Sequence, residues 1–412
     1  MGGISGTSNT ATGWISGPNQ RGTIDIIWSS ILTVFLCTWT AICLNIPHPS
    51  ESRHKHLYTR VKWMFLAIIY PELVFALAIG QYASAQRSLK RFHRLGHRNW
   101  TLRHGFFADM GGVLLQPNDN GPFVVNGYQL ANLVEKELVT FPAITAEEIW
   151  DKSKADTLTK IITILQAGWL IIQLLGRTIL HLPTSTLELK ASSIVFCTFG
   201  TFLCWLHKPN DVQRGIALAV DAPTDQILFE AGGTPVKPYR HSYIDAAGDN
   251  SFSCIYDVIR LSSKSSSTGP LPLRHIPNDR INSVDTHHAV IILCFGMVCD
   301  LFILAGWSNA FATATEALLW KISSLTTLAI GIFSWVLERG EPVTAVKSAS
   351  NRDRETTKRE HVVIWKVALR ITVIFLVSLA KCYIIIESLI GLREMPAAVY
   401  TTFEVADLLP HW

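Results

Sequence analysis

The chain has 412 residues, of which 49% are hydrophobic and only 17% charged, with a formal net charge of +4, and its mean hydropathy is +0.26. Average soluble domains carry roughly a quarter charged residues, so the deficit excludes an ordinary soluble domain. A net charge this small gives no reason to expect a nucleic-acid partner.

The charge is missing in blocks. Stretches of ~20 residues are nearly free of it, the length an α-helix needs to cross ~30 Å of hydrocarbon. Hydropathy predicts an all-α polytopic transmembrane helix bundle with about seven spans. In chain order these are 24–46, 61–83, 158–180, 187–206, 289–307, 317–337 and 362 to about 386. Trp28, Trp63, Trp205, Trp307, Trp320, Trp335 and Trp365 lie near their ends, the depth that indole rings prefer. The first apolar segment is too long for a cleavable signal peptide and is expected to stay in the membrane. Seven of the eight cysteines fall in or beside apolar segments and read as small hydrophobes rather than as a disulfide framework.

The organisation divides accordingly: 1–83 with the first two spans, 84–157 as a connection with surface-lying amphipathic segments, 158–206 with spans three and four, 207–288 as a polar and partly flexible loop, and 289–412 with the last three spans. Lys and Arg gather in the connections 84–157, 207–288 and 338–361, which the positive-inside rule places in the cytosol. Seven spans then put the N-terminus in the cytosol and the C-terminus outside, in an endomembrane more readily than the plasma membrane. The sequon Asn99-Trp100-Thr101 falls on the cytosolic side and is expected to be unmodified.

The candidate site residues are acids. Glu72 follows Pro71 in the middle of a predicted span, where an ionisable group is costly and marks a site or a polar helix contact. Asp300 is mid-span too, and Arg370 and Lys381 share one helix face. His104 and Asp109 form an H-x4-D pattern, in which a base and an orienting acid would stand together at the cytosolic surface. Glu148, Asp151 and Asp156 recur at helical spacing before the third span; they read as a solvated helix entrance or as a carboxylate cluster for acid–base work. Catalytic roles are assigned to Glu72, Asp109, Asp151 and Asp156. No nucleotide-binding, zinc-protease, diphosphate–magnesium or nucleophile-elbow motif occurs, so no cofactor and no metal are assigned.

Several stretches jointly resemble a family of fungal multi-span membrane proteins without an assigned function. They are Arg21 to Ser29, Pro71-Glu72, His104 to Gly112, Glu148 to Asp156, Trp205 to Val212, Gly306-Trp307 with Glu316 and Leu319 to Lys321, and Leu409 to Trp412. The segment 231–285 matches nothing in it. The resemblance implies a filamentous fungal source and, because such genes can lie among secondary-metabolite genes, a lipophilic small molecule as substrate class.

Three function classes follow. The first is a membrane-embedded enzyme with cyclase- or isomerase-type acid–base chemistry on a lipophilic metabolite. The second is a transporter, and the third a receptor-like or scaffolding membrane protein. The expected partners are the lipid bilayer and that small molecule.

Overall fold

The computed structural model describes residues 10–17, 21–48, 51–119, 121–153, 157–230, 276, 278, 284–339 and 356–401. Asp156 and the loop residues 231–275 lie outside them, as does the side chain of Arg370. Six helices are long and apolar enough to cross a membrane, or seven if one sharply bent pair counts as a single span. The crossing helices are α1 (Thr23–Ala41), α7 (Thr157–Ile179), α8 (Thr186–Cys204), α10 (Thr286–Leu304), α11 (Ala314–Arg339) and α12 (Thr356–Ile390). The bent pair is α2 (Arg53–Ile69) and α3 (Pro71–Arg94).

α8 is the axis of the bundle: 72% of its apolar stretch is buried, against 17% for α7. Apolar residues such as Ile164, Leu165 and Leu175 on α7 or Phe375 and Leu379 on α12 are more than half exposed. With no water-seeking face to hide, such residues are where lipid tails pack. The helices hold polar side chains by satisfying them locally. Thr33, Thr38 and Thr40 in α1 return their hydroxyls to carbonyls one turn back, a bond that replaces solvent. α8 begins at a capping box: Ser185 Oγ accepts from Glu188 N at 3.1 Å, and Glu188 Oε2 accepts from Ser185 N at 3.0 Å, filling orphan donors at the helix start. Gly200 matters for packing, since a Cβ there would stand 2.6 Å from Phe295 and 2.9 Å from Phe75. Its absence lets α3 and α10 close on α8.

The break between α2 and α3 follows from Pro71. Proline has no amide hydrogen and disfavours helical geometry in the residue before it, and Tyr70 takes φ −127° and ψ 64°. The chain turns by 113° there. Ile46 N, just before α2, donates to the carbonyl of Met110, well beyond α3, at 3.1 Å. The segment before the pair is thus tied to the end of α4 (Leu102–Asp109).

α4 belongs to a folded unit. Helices α4 (Leu102–Asp109), α5 (Gly127–Glu135), α6 (Ala146–Asp151) and α9 (Thr224–Glu230) surround strands β2 (Val113–Pro117), β3 (Phe123–Val124) and β4 (Ile216–Val220). The sheet runs β3-β2-β4, with β2 antiparallel to β3 and parallel to β4. Phe92, Trp100, Phe107, Leu115, Leu130 and Ile227 form its core. α3 runs on to Arg94, and its Phe92 and the following Trp100 pack into this core.

A second pairing joins β1 (Thr10–Thr12) antiparallel to β5 (Glu394–Pro396). Arg177, 2% exposed, secures the segment after β5 by donating to the carbonyls of Ala398, Val399 and Thr401. The expected second span, Val61–Ala83, falls on parts of the two helices of the bent pair, so the helices able to cross number six, or seven where that pair makes one span.

Candidate functional site

The tip of the bent pair carries Tyr70 and Glu72, and three further helices meet it with ionisable groups. Lys381 Nζ on α12 stands 2.6 Å from Glu72 Oε1, with side-chain exposures of 9% and 30%. The same ammonium lies 5.6 Å from the centre of the Tyr70 ring. The Tyr70 hydroxyl hydrogen-bonds Ser378 Oγ, one turn before Lys381. Lys190 on α8 is buried, and its electrostatic neighbours are Lys381, Glu72, Cys299 and Asp300. Asp300 on α10 completes the group, with Lys381, Glu72 and Lys190 as its electrostatic neighbours.

Two carboxylates and two amines thus come from four different helices. Their formal charges cancel, which is the condition for keeping such groups inside a low-dielectric bundle. Two features place Glu72 at the break. Pro71 occupies the first helical position, where its missing amide costs nothing, and a carboxylate in the first turn of a helix faces the positive end of its dipole. Glu72 is also the most accessible partner of the pair. A carboxyl and an amine at hydrogen-bonding distance exchange a proton readily, so the site has the equipment for acid–base work on a molecule that reaches Glu72.

Of the other acids assigned from sequence, the two described ones do not join this group. Asp109 ends α4 and accepts from Gly127 N at 3.0 Å, tying α4 to α5. Asp151 is exposed at the end of α6, and Asp156 lies outside the described residues. His104 does not face Asp109 as a base. Its Nδ1 accepts from Thr101 N at 3.2 Å, and its Nε2 is 2.9 Å from the Ile144 carbonyl. Burial pulls its pKa below the ordinary histidine value, which suits a neutral ring with one acceptor and one donor nitrogen. Asp300 and Lys381 stood out in the sequence. Lys190 did not, because it lies among apolar residues near a predicted span end, where a snorkelling lysine is commonplace.

A second buried lysine stands nearer the other end of α8. Lys208 Nζ donates to Cys43 O at 2.7 Å, Gln81 Oε1 at 2.9 Å and Asn45 Oδ1 at 3.1 Å. Gln81 Oε1 also accepts from Trp205 Nε1 at 3.0 Å. Burial pulls the Lys208 pKa down to about 8. Its partners are neutral oxygens on α3 and the segment after α1, so it works as a clamp between them. Among the described residues, no group of three or more His, Cys, Asp or Glu side chains is placed to hold a metal ion.

No curated protein and no solved structure matches the chain. A family model does, over residues 3–229 and 275–412, leaving out most of the polar loop that the sequence reading could not match either. The chain belongs to a family of unknown function (DUF8562).

Proposed function

We propose that this protein is a membrane-embedded enzyme that transfers a proton to or from a lipophilic small molecule at the Glu72–Lys381 pair. The observation that carries this reading is the 2.6 Å contact between the two groups at the broken tip of α2–α3. Ionisable side chains at that depth are expensive and mark function by default. Glu72 is the proton-transferring group. Lys381 sets its charge, with Lys190 and Asp300 balancing the field, while Tyr70 and Ser378 fix the hairpin tip against α12. Cyclisation or isomerisation by protonation of an alkene or epoxide fits a carboxyl acid in an apolar setting. Asp109, Asp151 and Asp156 receive no step. The resemblance to fungal proteins encoded near secondary-metabolite genes supports the substrate class.

Orientation belongs to the same proposal. With six crossings, Arg53, Lys55, Arg60 and Lys62 of α2 join Lys90, Arg94, Arg98 and Arg103 on one face. The positive-inside rule makes that face cytosolic and both strand-paired terminal segments luminal or extracellular. The sequon at Asn99 stays cytosolic.

Transport is the second reading, favoured by the broken helix itself, since discontinuous helices near the bilayer midplane are how many carriers bind their cargo. Metabolite profiling of the source organism decides between them, with the gene deleted and then restored as wild type or Glu72→Gln at equal membrane level. An intermediate that accumulates and is cleared only by wild type supports the enzyme. A product that shifts between cells and medium supports transport. An unchanged profile removes both.

A further inference from the structure

The face carrying β1 and β5 holds a second polar corner, separate from the Glu72 pair. Glu387 on α12 is 3% exposed and Thr186, at the start of α8, is 5% exposed. Glu387 Oε1 and Thr186 Oγ1 are both buried without a hydrogen-bond partner. Both oxygens face the Cα of Gly391, where the lack of a side chain leaves room between them. A Cβ at Gly391 would lie 3.4 Å from Thr186 Oγ1 and 3.6 Å from Glu387 Oε1.

The charges around the gap are not balanced at Glu387. Arg21 pairs with Glu188 at 2.5 Å, and Arg393 pairs with Glu316. Among the described residues no cation stands within ion-pair distance of Glu387. Its other oxygen receives only a long contact from the Tyr383 hydroxyl, 3.4 Å away, while that hydroxyl also reaches the Glu316 carbonyl at 3.0 Å. Glu316 Oε2 is itself buried and unpartnered. Orphaned polar atoms are rare in native structures and call for an occupant. A carboxylate oxygen and a hydroxyl oxygen facing one gap, with a second carboxylate behind them, are hard acceptors that suit a small positive ion.

We propose that Glu387, Thr186 and Gly391 form a binding site for a monovalent cation, either a proton or sodium. The groups facing it are Tyr383 from the same helix, Glu316 from α11, Arg393 from the turn after α12, and the Arg21–Glu188 pair beside Thr186. The site lies six residues beyond Lys381 on α12, about 9 Å along the axis at 1.5 Å per residue. It stands independently of the acid–base reading, because occupancy is measurable without a substrate.

The experiment is thermal unfolding of the purified full-length protein in detergent. Sodium chloride is exchanged for choline chloride at constant ionic strength, and pH is varied in choline chloride. A bound ion stabilises the folded state by mass action. Sodium should raise the wild-type Tm by about 2 °C or more. That rise should vanish in Glu387→Gln and in Gly391→Ala, whose methyl group fits at ordinary contact distance but fills the gap. If the occupant is a proton, sodium has no effect, and Tm falls more steeply with rising pH in wild type than in Glu387→Gln. Gly391→Ala then keeps the wild-type pH slope. If wild type shows no sodium-specific shift and its pH profile parallels that of Glu387→Gln, the site does not exist. Should Glu387→Gln fail to fold, Thr186→Val and Gly391→Ala read the sodium arm. In the proton arm, Glu387→Asp replaces it, expected to shift the pH profile and overturning the site if it does not.

Discussion

Ala11 stands opposite Met395 in an antiparallel ladder that also pairs Thr10 with Pro396 and Thr12 with Glu394. The two segments precede the first crossing helix and follow the last, so their pairing predicts an even number of crossings between them. Membrane-impermeant maleimide should label Ser16→Cys and Thr401→Cys from the same side of sealed vesicles. Glu137→Cys, beyond α5 in the folded unit, should label only from the other. Labelling of Ser16→Cys and Thr401→Cys from opposite sides would show an odd number of crossings.

The Glu72–Lys381 pair should behave as a coupled unit. Lys381→Met leaves Glu72 without its cation, and Glu72→Gln leaves an ammonium that is only 9% exposed. Removing one partner of a buried pair costs about 3–5 kcal/mol. Glu72→Gln should be the costlier change, because the group it strands is the more deeply buried one. The double variant should lose less than the sum of the singles, by about 1 kcal/mol or more. Unfolding in mixed micelles measures all three. Additivity within about 0.5 kcal/mol would mean that the two side chains are neighbours without being partners.

The sequence showed the bundle clearly and its polar interior only in part. Charge-free blocks announce spans because the bilayer punishes any other arrangement, and all six crossing helices fall on predicted ones. Pro71 was visible as an interruption, but a proline inside a span is compatible with a mere kink. What ties the flanks of the break and the ends of the bundle together is tertiary: Ile46 binds Met110, and β1 binds β5. Hydropathy windows hold no such information. They also hid the register that brings Lys190 to Glu72, since facing side chains on different helices are set by packing at sites such as Gly200. Asp109 and Asp151 looked equal to Glu72 in sequence, because periodicity does not distinguish a helix cap from a site.

Lys208 offers a pH signature for the clamp at the end of α8. Its folded-state pKa falls from the ordinary 10.5 to about 8 because burial disfavours the charged amine. The unfolded chain then holds more protons than the folded one between pH 8 and 10.5, so folding stability rises with pH across that window. Below pH 8 both states carry the proton, and the burial penalty is complete and constant. Lys208→Met has no proton to lose. The difference in stability, wild type minus variant, should therefore be level near neutral pH and climb above pH 8, toward a ceiling of about 3 kcal/mol. Unfolding measured at pH 7 and pH 10 on both proteins decides it. A difference that stays flat would mean that the ammonium keeps its charge through its bonds to Cys43, Asn45 and Gln81, with those oxygens replacing water well enough to offset burial.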